Sequence, residues 1–311
     1  MEKLISILMP TYNHEKYISQ AIESTLMQKT NFNYELLIHD DCSTDSTLSI
    51  ARNYTEKHPD KIRLFTESEN QGLLKSYKKL IENSKGKYLA ILESDDFWID
   101  ENKLQIQVDF LEQNPDYAIT ATDIMRVDKD GKPIMTEETF NNHIRNTERW
   151  YEKLLGTNGI HGACSVVFRK SDYEKYCNID EWITFGFKTF DHPVWLSLSF
   201  NKKCKFFSRT TSAYRVLESS ISNNENAQKY MGFHISCAKI EEYVISKYGY
   251  GSITPEEYNQ RICLCIMGRA LKRHRRKEFC IYAKKLIPMS FKQKIMHYMP
   301  SLYYWQFTFR H

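Results

Sequence analysis

Between residue 4 and about residue 127, the chain alternates short runs of aliphatic and β-branched residues with stretches of helical periodicity. This alternation is typical of a mostly parallel sheet whose helices connect successive strands. The expected strands are residues 4–9, 35–39, 62–65, 88–92 and 117–127. The expected helices are residues 17–26, 47–57, 73–84 and 103–113, with Gly86 as the cap that separates the third helix from the fourth strand. The pattern therefore predicts an α/β fold with a mostly parallel central sheet flanked by helices.

Beyond residue 128 the pattern changes twice. From 135 to 225 it is mixed, with expected helices near 148–155 and 193–200 and expected strands at 164–169 and 205–210. From about residue 226 it is helical. We therefore expect one domain over residues 1–225, in two halves of about 1–128 and 129–225, followed by a helical extension over 226–311.

The composition limits the class of protein. With 41% hydrophobic residues in a chain of 311, a full core can be buried. The 43 Lys and Arg residues against 39 Asp and Glu give a net charge of +4, which is too even to predict a nucleic-acid-binding surface. The eight cysteines include no Cys-x-x-Cys pair, which excludes a zinc ribbon and favours reduced thiols.

Two observations on apolar runs favour a cytoplasmic location. The first run, residues 4–9, meets Pro10 before it reaches the length of a signal-peptide core. No segment approaches the roughly 18 consecutive apolar residues of a membrane-spanning helix. The sequence therefore predicts a cytoplasmic protein.

Three polar segments directly follow expected strands. They are Pro10-Thr11-Tyr12-Asn13 after the first strand, Asp40 to Ser46 after the second, and Glu93-Ser94-Asp95-Asp96-Phe97-Trp98 after the fourth. Ligands of such sheets bind outside the carboxyl ends of the strands. We therefore expect the three segments to converge at one edge and to form a binding site.

The acidic residues of these segments suggest a divalent metal. Carboxylates of Asp95 and Asp96, with Glu93 nearby, suit Mg²⁺ or Mn²⁺, whose other positions are commonly taken by substrate phosphates and water. The diphosphate of a sugar nucleotide fits such a site. A solvated acidic loop without metal is the alternative. Asp41 can accept hydrogen bonds from a base or ribose, and Ser43 to Asp45 suit the N-cap of the next helix.

Taken together, the three motifs resemble those of the family-2 glycosyltransferases, over roughly residues 4–220. The resemblance implies a GT-A fold and an inverting transfer from a nucleotide diphosphate sugar, with UDP as the expected nucleotide. It assigns residues 1–128 to the nucleotide sugar and 129–225 to the acceptor, a hydroxyl of a glycan or lipid-linked molecule in surface polysaccharide or glycoconjugate synthesis.

By position, the resemblance also implies residue roles at the donor site. The segment from Pro10 through Thr11 and Tyr12 to Asn13 would border the base, and Asp41 would contact the base or its ribose. Asp95 and Asp96 would serve the ribose and the metal. Many relatives have Asp where this chain has Glu93, so Glu93 is expected to act at most through water.

On the acceptor side, the resemblance points to a catalytic base just before a helix, where Asp191 stands. An N-cap role is the alternative for Asp191, and His192 is the rival base. His161 would line the floor of the acceptor pocket. The alternative is that it only precedes the start of a strand. Arg215 would reach the diphosphate, or it is an ordinary surface arginine.

Residues 269–311 are strongly basic and rich in aromatic side chains, with Glu278 as their acidic residue. Pro288 and Pro300 should divide this tail into short helices. One interpretation is a segment that lies on an anionic membrane, which would place the protein peripherally on the inner face of the cell membrane. The other is a helical cap that packs its aromatic side on the catalytic domain.

Two other functions remain open from the sequence. A sugar nucleotidylyltransferase would share the architecture and the metal-binding acids, but it should carry a glycine-rich phosphate loop, and neither GxGxxG nor GxxxxGK[ST] occurs. A catalytically idle glycan-binding module of the same fold is the second alternative.

Overall fold

The computed structural model describes residues 3–134, 141–156, 159–160, 162–218, 220, 222 and 224–308. The chain forms two compact units. The first comprises Met1–Trp150 and Ile160–Val216, and the second comprises Tyr151–Gly159 and Leu217–His311. The C-terminal part of the second unit thus begins at Leu217, whereas the expected extension begins at residue 226, and the unit also takes in a segment from the middle of the chain.

The first unit is built on one eight-stranded sheet. Its strands are β1 (Lys3–Thr11), β2 (Asn33–Asp40), β3 (Ile62–Thr66), β4 (Tyr88–Ile91), β5 (Phe97–Trp98), β6 (Tyr117–Val127), β7 (Val167–Arg169) and β8 (Lys203–Arg215). Their order is β3-β2-β1-β4-β7-β6-β8-β5. Strands β1 to β4 run parallel to one another, and β6 runs parallel to β8. Strand β7 is antiparallel to both of its neighbours, and β5 is antiparallel to its neighbour β8. The predicted α/β class with a mostly parallel sheet is confirmed.

Helices cover this sheet. They are α1 (Ile18–Leu26), α2 (Thr47–Lys57), α3 (Leu73–Asn83), α4 (Lys103–Gln113), α6 (Lys170–Tyr176), α7 (Ile179–Thr184) and α8 (Asp191–Asn201). Ile5, Ile7, Leu8 and Met9 of β1 are all fully buried, which explains why this strand reads as a continuous apolar run rather than an alternating one.

The register of the parallel strands brings the polar segments together. Thr11, the last residue of β1, pairs with Asp40 at the end of β2. Leu8 of the same strand pairs with Ile91, the last residue of β4. The chain therefore leaves all three strands at the same edge, as the motif positions predict.

Gly86 does not cap α3, contrary to expectation. The helix ends at Asn83, and its C-cap is Ser84 in an extended conformation. A Cβ atom on Gly86 would lie 2.4 Å from the backbone nitrogen of Ser6, and the Gly86 amide donates to the Ser6 hydroxyl. Glycine is needed here for the close approach of the chain to β1.

The second unit is helical. It contains α5 (Tyr151–Leu154), α9 (Ala227–Tyr248), α10 (Pro255–Lys272), α11 (Arg276–Lys285), α12 (Phe291–Tyr298) and α13 (Pro300–Thr308). Thr254 and Ser290 each begin a helix with a capping box. The breaks at Pro288 and Pro300 confirm the predicted division of the tail. Among the described residues, every helix is too short or too polar to cross a bilayer.

Candidate active site

Hydrogen bonds join the segments that follow β1 and β2. Asn13 adopts a left-handed φ of 56°, donates its amide to Ser43 Oγ at 2.9 Å, and accepts the Thr44 amide at 2.8 Å on Oδ1. The Glu15 amide donates to Asp45 Oδ2, which adds a further bond between the segments. Asn13 therefore fixes the shape of this edge through its side chain.

Asp41 is buried and clamps the segment that leads into α3. Its Oδ1 accepts the Gln71 amide at 2.7 Å, and its Oδ2 accepts the Gly72 amide at 2.8 Å. Gly72 has a φ of 88°, which favours glycine. Each carboxylate oxygen accepts more than one hydrogen bond, so Asp41 retains capacity toward a ligand.

The adjacent carboxylates of Asp95 and Asp96 have different surroundings. Asp95 is half-buried, whereas Asp96 is buried, with Oδ1 accepting the Arg215 amide at 2.8 Å. The Cys164 thiol also hydrogen-bonds to Asp96. Burial, with the nearby charge of Asp95, raises the pKa of Asp96 well above its usual value. Asp96 is thus engaged from the interior, and its expected role as a metal ligand stays a prediction.

Arg215 is buried, so it is not the ordinary surface arginine of the alternative. Its side chain is buried and donates to the carbonyl oxygens of Asp95, Asp128 and Lys129, and to Gln20 Oε1 at 2.7 Å. These bonds use all three guanidinium nitrogens. Arg215 therefore holds the acidic segment in place, and its predicted contact with the diphosphate stays a prediction.

Glu93 lies where three carboxylates approach one another. Burial, followed by the charges of Asp95 and Asp191, raises the pKa of Glu93 to about 8. The Tyr77 hydroxyl donates to Glu93 Oε1 at 3.2 Å. Glu93 and Asp95 follow β4, while Asp191 begins α8 about a hundred residues later. The fold therefore concentrates negative charge from two distant segments at one place.

Asp191 is the first residue of α8, and Phe190 is the N-cap. Its Oδ1 accepts the Thr189 hydroxyl and the His192 amide. These two bonds hold the half-buried carboxylate in one orientation. His192, the rival base, is 2% exposed.

The donor set at this site fits a divalent cation that is shared with phosphates. Among the residues that the structure describes, no group of three or more His, Cys, Asp or Glu side chains forms a ready-made metal site. Mg²⁺ and Mn²⁺ do not need one, since one or two carboxylates plus substrate phosphates and water suffice. Burial is the main cause of the raised pKa of Glu93, and the charges of Asp95 and Asp191 add to it. A cation at this place would offset that added negative charge.

The other predicted residues have varied environments. Pro10 is buried, and Tyr12 is exposed beyond the end of β1. Thr11 is buried, and its hydroxyl finds no hydrogen-bond partner within the described part of the chain. His161 lies outside the described residues, so its predicted place at the acceptor pocket stays a prediction.

Two polar side chains at this edge were not singled out from the sequence. His14 Nδ1 lies 2.7 Å from Ser94 Oγ and thereby links the first motif to the third. Tyr77 hydrogen-bonds to Glu93 while its ring stacks on Phe190 with centroids 4.0 Å apart. Tyr77 stands in the apolar stripe of α3 and so reads as an ordinary core residue, and His14 carries no motif of its own.

Comparison with known proteins agrees with the fold. The family model described as "Glycosyl transferase family 2" matches residues 6–175. The curated UDP-Glc:alpha-D-GlcNAc-diphosphoundecaprenol beta-1,3-glucosyltransferase WfgD of Escherichia coli is 30% identical over 227 residues, which are 71% of this chain and 81% of WfgD. Several other curated relatives are matched over only 37% to 50% of their own length.

Solved structures show the same fold at low sequence identity. S. aureus TarS 1–349 in complex with UDP-GlcNAc has a TM-score of 0.61 and 15% identity, and covers 99% of this chain and 88% of that one. The mannosyltransferase PcManGT from Pyrobaculum calidifontis, in complex with GDP-Man and Mn²⁺, has a TM-score of 0.57 and 15% identity, covering 99% and 84%. With the family match over more than half of its length, this chain belongs to glycosyl transferase family 2.

Proposed function

We propose that this chain is an inverting glycosyltransferase that moves a sugar from a UDP sugar to a hydroxyl of a glycan or lipid-linked acceptor in surface polysaccharide or glycoconjugate synthesis. The observation that carries the proposal is the convergence of Glu93 and Asp95 with Asp191. The carboxylates of Glu93 and Asp95 suit a metal-bound diphosphate, and the carboxylate of Asp191 suits a base on the acceptor side. WfgD, whose name states a UDP-Glc donor and a diphosphoundecaprenol acceptor, supports these substrate classes.

The donor is proposed to bind along the edge formed by the segments after β1 and β2. Asp41 would accept hydrogen bonds from the base or ribose, because its carboxylate is already fixed by two backbone amides. Thr11 offers a buried hydroxyl without a protein partner, and the exposed ring of Tyr12 offers a flat apolar face. Such prearranged polar groups and aromatic faces are common in nucleotide sites.

Glu93 and Asp95 are proposed to hold Mn²⁺ or Mg²⁺, and Asp96 to support them from the interior. The bound cation would offset the charge that develops on the departing diphosphate. Compared with the sequence-based expectation, this assignment keeps Asp95 and replaces Asp96 with Glu93, which was expected to act at most through water. The reason is that the Arg215 amide and the Cys164 thiol already engage Asp96.

Asp191 is proposed as the catalytic base. Its carboxylate would take the proton from the acceptor hydroxyl as that oxygen attacks the anomeric carbon from the face opposite the leaving diphosphate, which inverts the configuration. The Thr189 hydroxyl and the His192 amide donate to this carboxylate and hold it in one orientation. The alternative N-cap role is weakened, because Phe190 occupies the cap position.

A thermal-shift panel tests the proposed function. The chain is heated with UDP-glucose, UDP-N-acetylglucosamine or GDP-mannose, each with and without Mn²⁺. We expect a UDP sugar to raise the melting temperature in a Mn²⁺-dependent manner, because a ligand of the native state alone stabilises it. Asp95→Asn should abolish the Mn²⁺-dependent part, and the exposed control Asp116→Asn should retain it. Failure of all three nucleotide sugars to raise the melting temperature contradicts the proposal and leaves the idle glycan-binding module.

We also propose that the helices of the tail contact an anionic membrane. Six large apolar side chains between residues 281 and 302 are exposed, namely Ile281, Ile287, Met289, Tyr298, Met299 and Leu302. Exposed lysines accompany them, namely Lys277, Lys284, Lys285, Lys292 and Lys294. Apolar side chains next to lysines suit the boundary between acyl chains and anionic headgroups.

Vesicle sedimentation tests this contact. The protein should pellet with phosphatidylglycerol vesicles and stay in solution with phosphatidylcholine vesicles. Lys284→Glu with Lys285→Glu should release it, whereas Lys229→Glu, an exposed change on α9, should not. Equal pelleting of both variants contradicts the proposal and leaves the helical cap as the role of the tail.

A further inference from the structure

The imidazole of His14 lies where the polar segments after β1, β2 and β4 meet. His14 follows the first of these segments, and its backbone amide donates to Thr47 Oγ1, beyond the second, at 2.8 Å. Its Nδ1 lies 2.7 Å from the hydroxyl of Ser94 in the third. Ser94 stands between Glu93 and Asp95 in the chain. The fold therefore fixes this imidazole next to the segment that is proposed to hold the metal.

The burial of Ser94 decides which nitrogen of the imidazole carries the proton. Ser94 is fully buried, and within the described part of the chain its hydroxyl makes one hydrogen bond, the bond with His14 Nδ1. A buried hydroxyl needs an acceptor for its proton, so Ser94 donates to Nδ1. The proton of the neutral imidazole therefore lies on Nε2. In the charged imidazole Nε2 is a donor as well.

The Nε2–H group of His14 is left over for a ligand. It makes no hydrogen bond to any residue that the structure describes. Unlike the hydroxyl of Thr11, Nε2 is not sealed from solvent, and the side chain is partly exposed. The ring is also held by Tyr17, whose ring centroid lies 6.3 Å away in an edge-on arrangement. His14 thus offers a donor of fixed direction that a ligand can reach.

We propose that His14 donates this hydrogen bond to the diphosphate of the nucleotide sugar, which rests on the proposed function. A diphosphate bound through a cation at Glu93 and Asp95 would lie next to the segment that orients the imidazole. Its oxygens are negatively charged and accept charge-assisted hydrogen bonds. Ionised carboxylates only accept, so Asp41 and Asp95 offer these oxygens no direct hydrogen bond. His14 supplies the donor that they lack.

The same imidazole is a poor candidate for a metal ligand. A nitrogen coordinates a metal only in its unprotonated form, and Mn²⁺ and Mg²⁺ prefer oxygen ligands. Because Ser94 places the proton of the neutral ring on Nε2, the accessible nitrogen of His14 donates and does not coordinate. Its bond to the diphosphate would strengthen as negative charge develops on the leaving group. His14 would therefore contribute to the rate of transfer as well as to donor binding.

Calorimetric titration of the full chain with UDP and with uridine, in buffer that contains Mn²⁺, tests this contact. His14→Asn keeps an amide near the place of Nδ1, within reach of Ser94, and removes the outward donor. It should weaken UDP binding about tenfold or more, as expected for loss of a hydrogen bond to a charged group, and leave uridine binding unchanged. His14→Gln carries an amide donor near the place of Nε2, so it should bind UDP more tightly than His14→Asn.

A matched control and a spectroscopic measurement complete the test. His58 is also partly exposed and follows α2, at the end of that helix away from the polar segments, so His58→Asn should bind UDP as the wild type does. ¹⁵N NMR of histidine-labelled protein should show the neutral imidazole of His14 protonated on Nε2. The signal is assigned by its loss in His14→Asn. A role limited to joining two segments would not predict this tautomer.

The outcomes separate this contact from the proposed function. Unchanged UDP affinity in His14→Asn, an equal loss for uridine, or a proton on Nδ1 overturns the contact and leaves the proposed function standing. A wild type that binds neither UDP nor GDP overturns the proposed function, and the contact falls with it. Melting curves without ligand identify a variant that fails to fold, in which case His14→Ala replaces His14→Asn and should show the same selective loss of UDP binding.

Discussion

Tyr77 and Glu93 are joined by a hydrogen bond of 3.2 Å from the phenolic hydroxyl to Oε1. The Tyr77 ring is held by stacking on Phe190, next to Asp191. One side chain of α3 thus touches both the acidic segment after β4 and the segment that carries the proposed base. Tyr77 therefore acts on the proposed chemistry through the orientation of Glu93.

Tyr77→Phe should reduce transfer several-fold and leave the fold almost unchanged. The ring keeps its stacking partner, and the lost hydrogen bond is worth about 0.5 to 1.5 kcal/mol. The effect should be read in the metal concentration needed for half-maximal activity, which rises if Glu93 is less well oriented. Tyr54→Phe is the matched control, because its hydroxyl donates to Glu23, which is not a residue of the proposed site. Identical kinetics of the two variants would contradict the assigned role.

Asp191→Asn should abolish transfer and preserve donor binding. The amide cannot accept the acceptor's proton, and loss of a general base costs about 10² to 10⁴ in rate. The donor-dependent thermal shift should remain within error of the wild type, because the donor contacts other residues. A fully active Asp191→Asn enzyme would make His192 the candidate, which His192→Gln then tests.

Arg215→Met should lower the free energy of unfolding by about 2 to 4 kcal/mol, the range for removal of a buried hydrogen-bonding network. Three carbonyl oxygens that Arg215 satisfies would be left without their donor. Urea denaturation measures the change. Lys29→Met provides the comparison, since its exposed pair with Glu101 is worth about 0 to 1 kcal/mol. Equal losses in the two variants would remove the structural role from Arg215.

Cys42→Gly and Asn13→Gly should change stability in opposite directions, although both positions have a left-handed backbone. Cys42 has a φ of 62° and a weak contact from its thiol to the Ser68 carbonyl. Glycine there relieves strain and should stabilise by up to about 1 kcal/mol. At Asn13 the same change removes the acceptor for the Thr44 amide, and should destabilise by about 1 kcal/mol. Chemical denaturation of both variants checks the signs.

Lys103 should make stability depend on pH in the alkaline range. Burial lowers its pKa to about 7 from 10.5, so between these values the unfolded chain binds more protons than the native state. The free energy of unfolding contributed by this group therefore rises as the pH increases from about 7 to 10.5. Below pH 7 the native state keeps the charged ammonium of Lys103 buried, which lowers the free energy of unfolding.

Lys103→Met isolates this contribution. The wild type should gain on the variant as the pH rises through that window, when the two are compared by denaturant unfolding at each pH. The exposed substitution Lys229→Met should show a difference that does not change with pH. A constant difference between wild type and Lys103→Met would mean that the amine keeps an ordinary pKa.

The sequence predicted elements well where local signals are strong. Helices α2 and α4 begin and end where periodicity and the Asn114-Pro115 stop place them. The edge at which the motifs meet also followed from the sequence, because parallel strands share a carboxyl end. The helix expected over residues 148–155 is shorter in the structure, where only Tyr151–Leu154 is helical. Chain periodicity alone does not report which residues pack into a second unit.

The orientation of individual side chains was beyond the sequence. Asp95 and Asp96 are neighbours with the same chemistry, and only the backbone after β4 decides which of them faces the interior. Arg215 finds its partners on segments around residues 20, 95 and 128, so no local pattern announces them. Tyr77 and His14 likewise depend on partners 16 and 80 residues away along the chain.

The inward direction of Asp96 has a consequence for reading related sequences. A homologue that had lost its activity would still need an acid at this position to accept the hydrogen bond from the backbone amide of Arg215, the last residue of β8. Retention of that acid would then report only that the scaffold is intact. The preceding acid, which the scaffold does not require, is the better marker of a working enzyme.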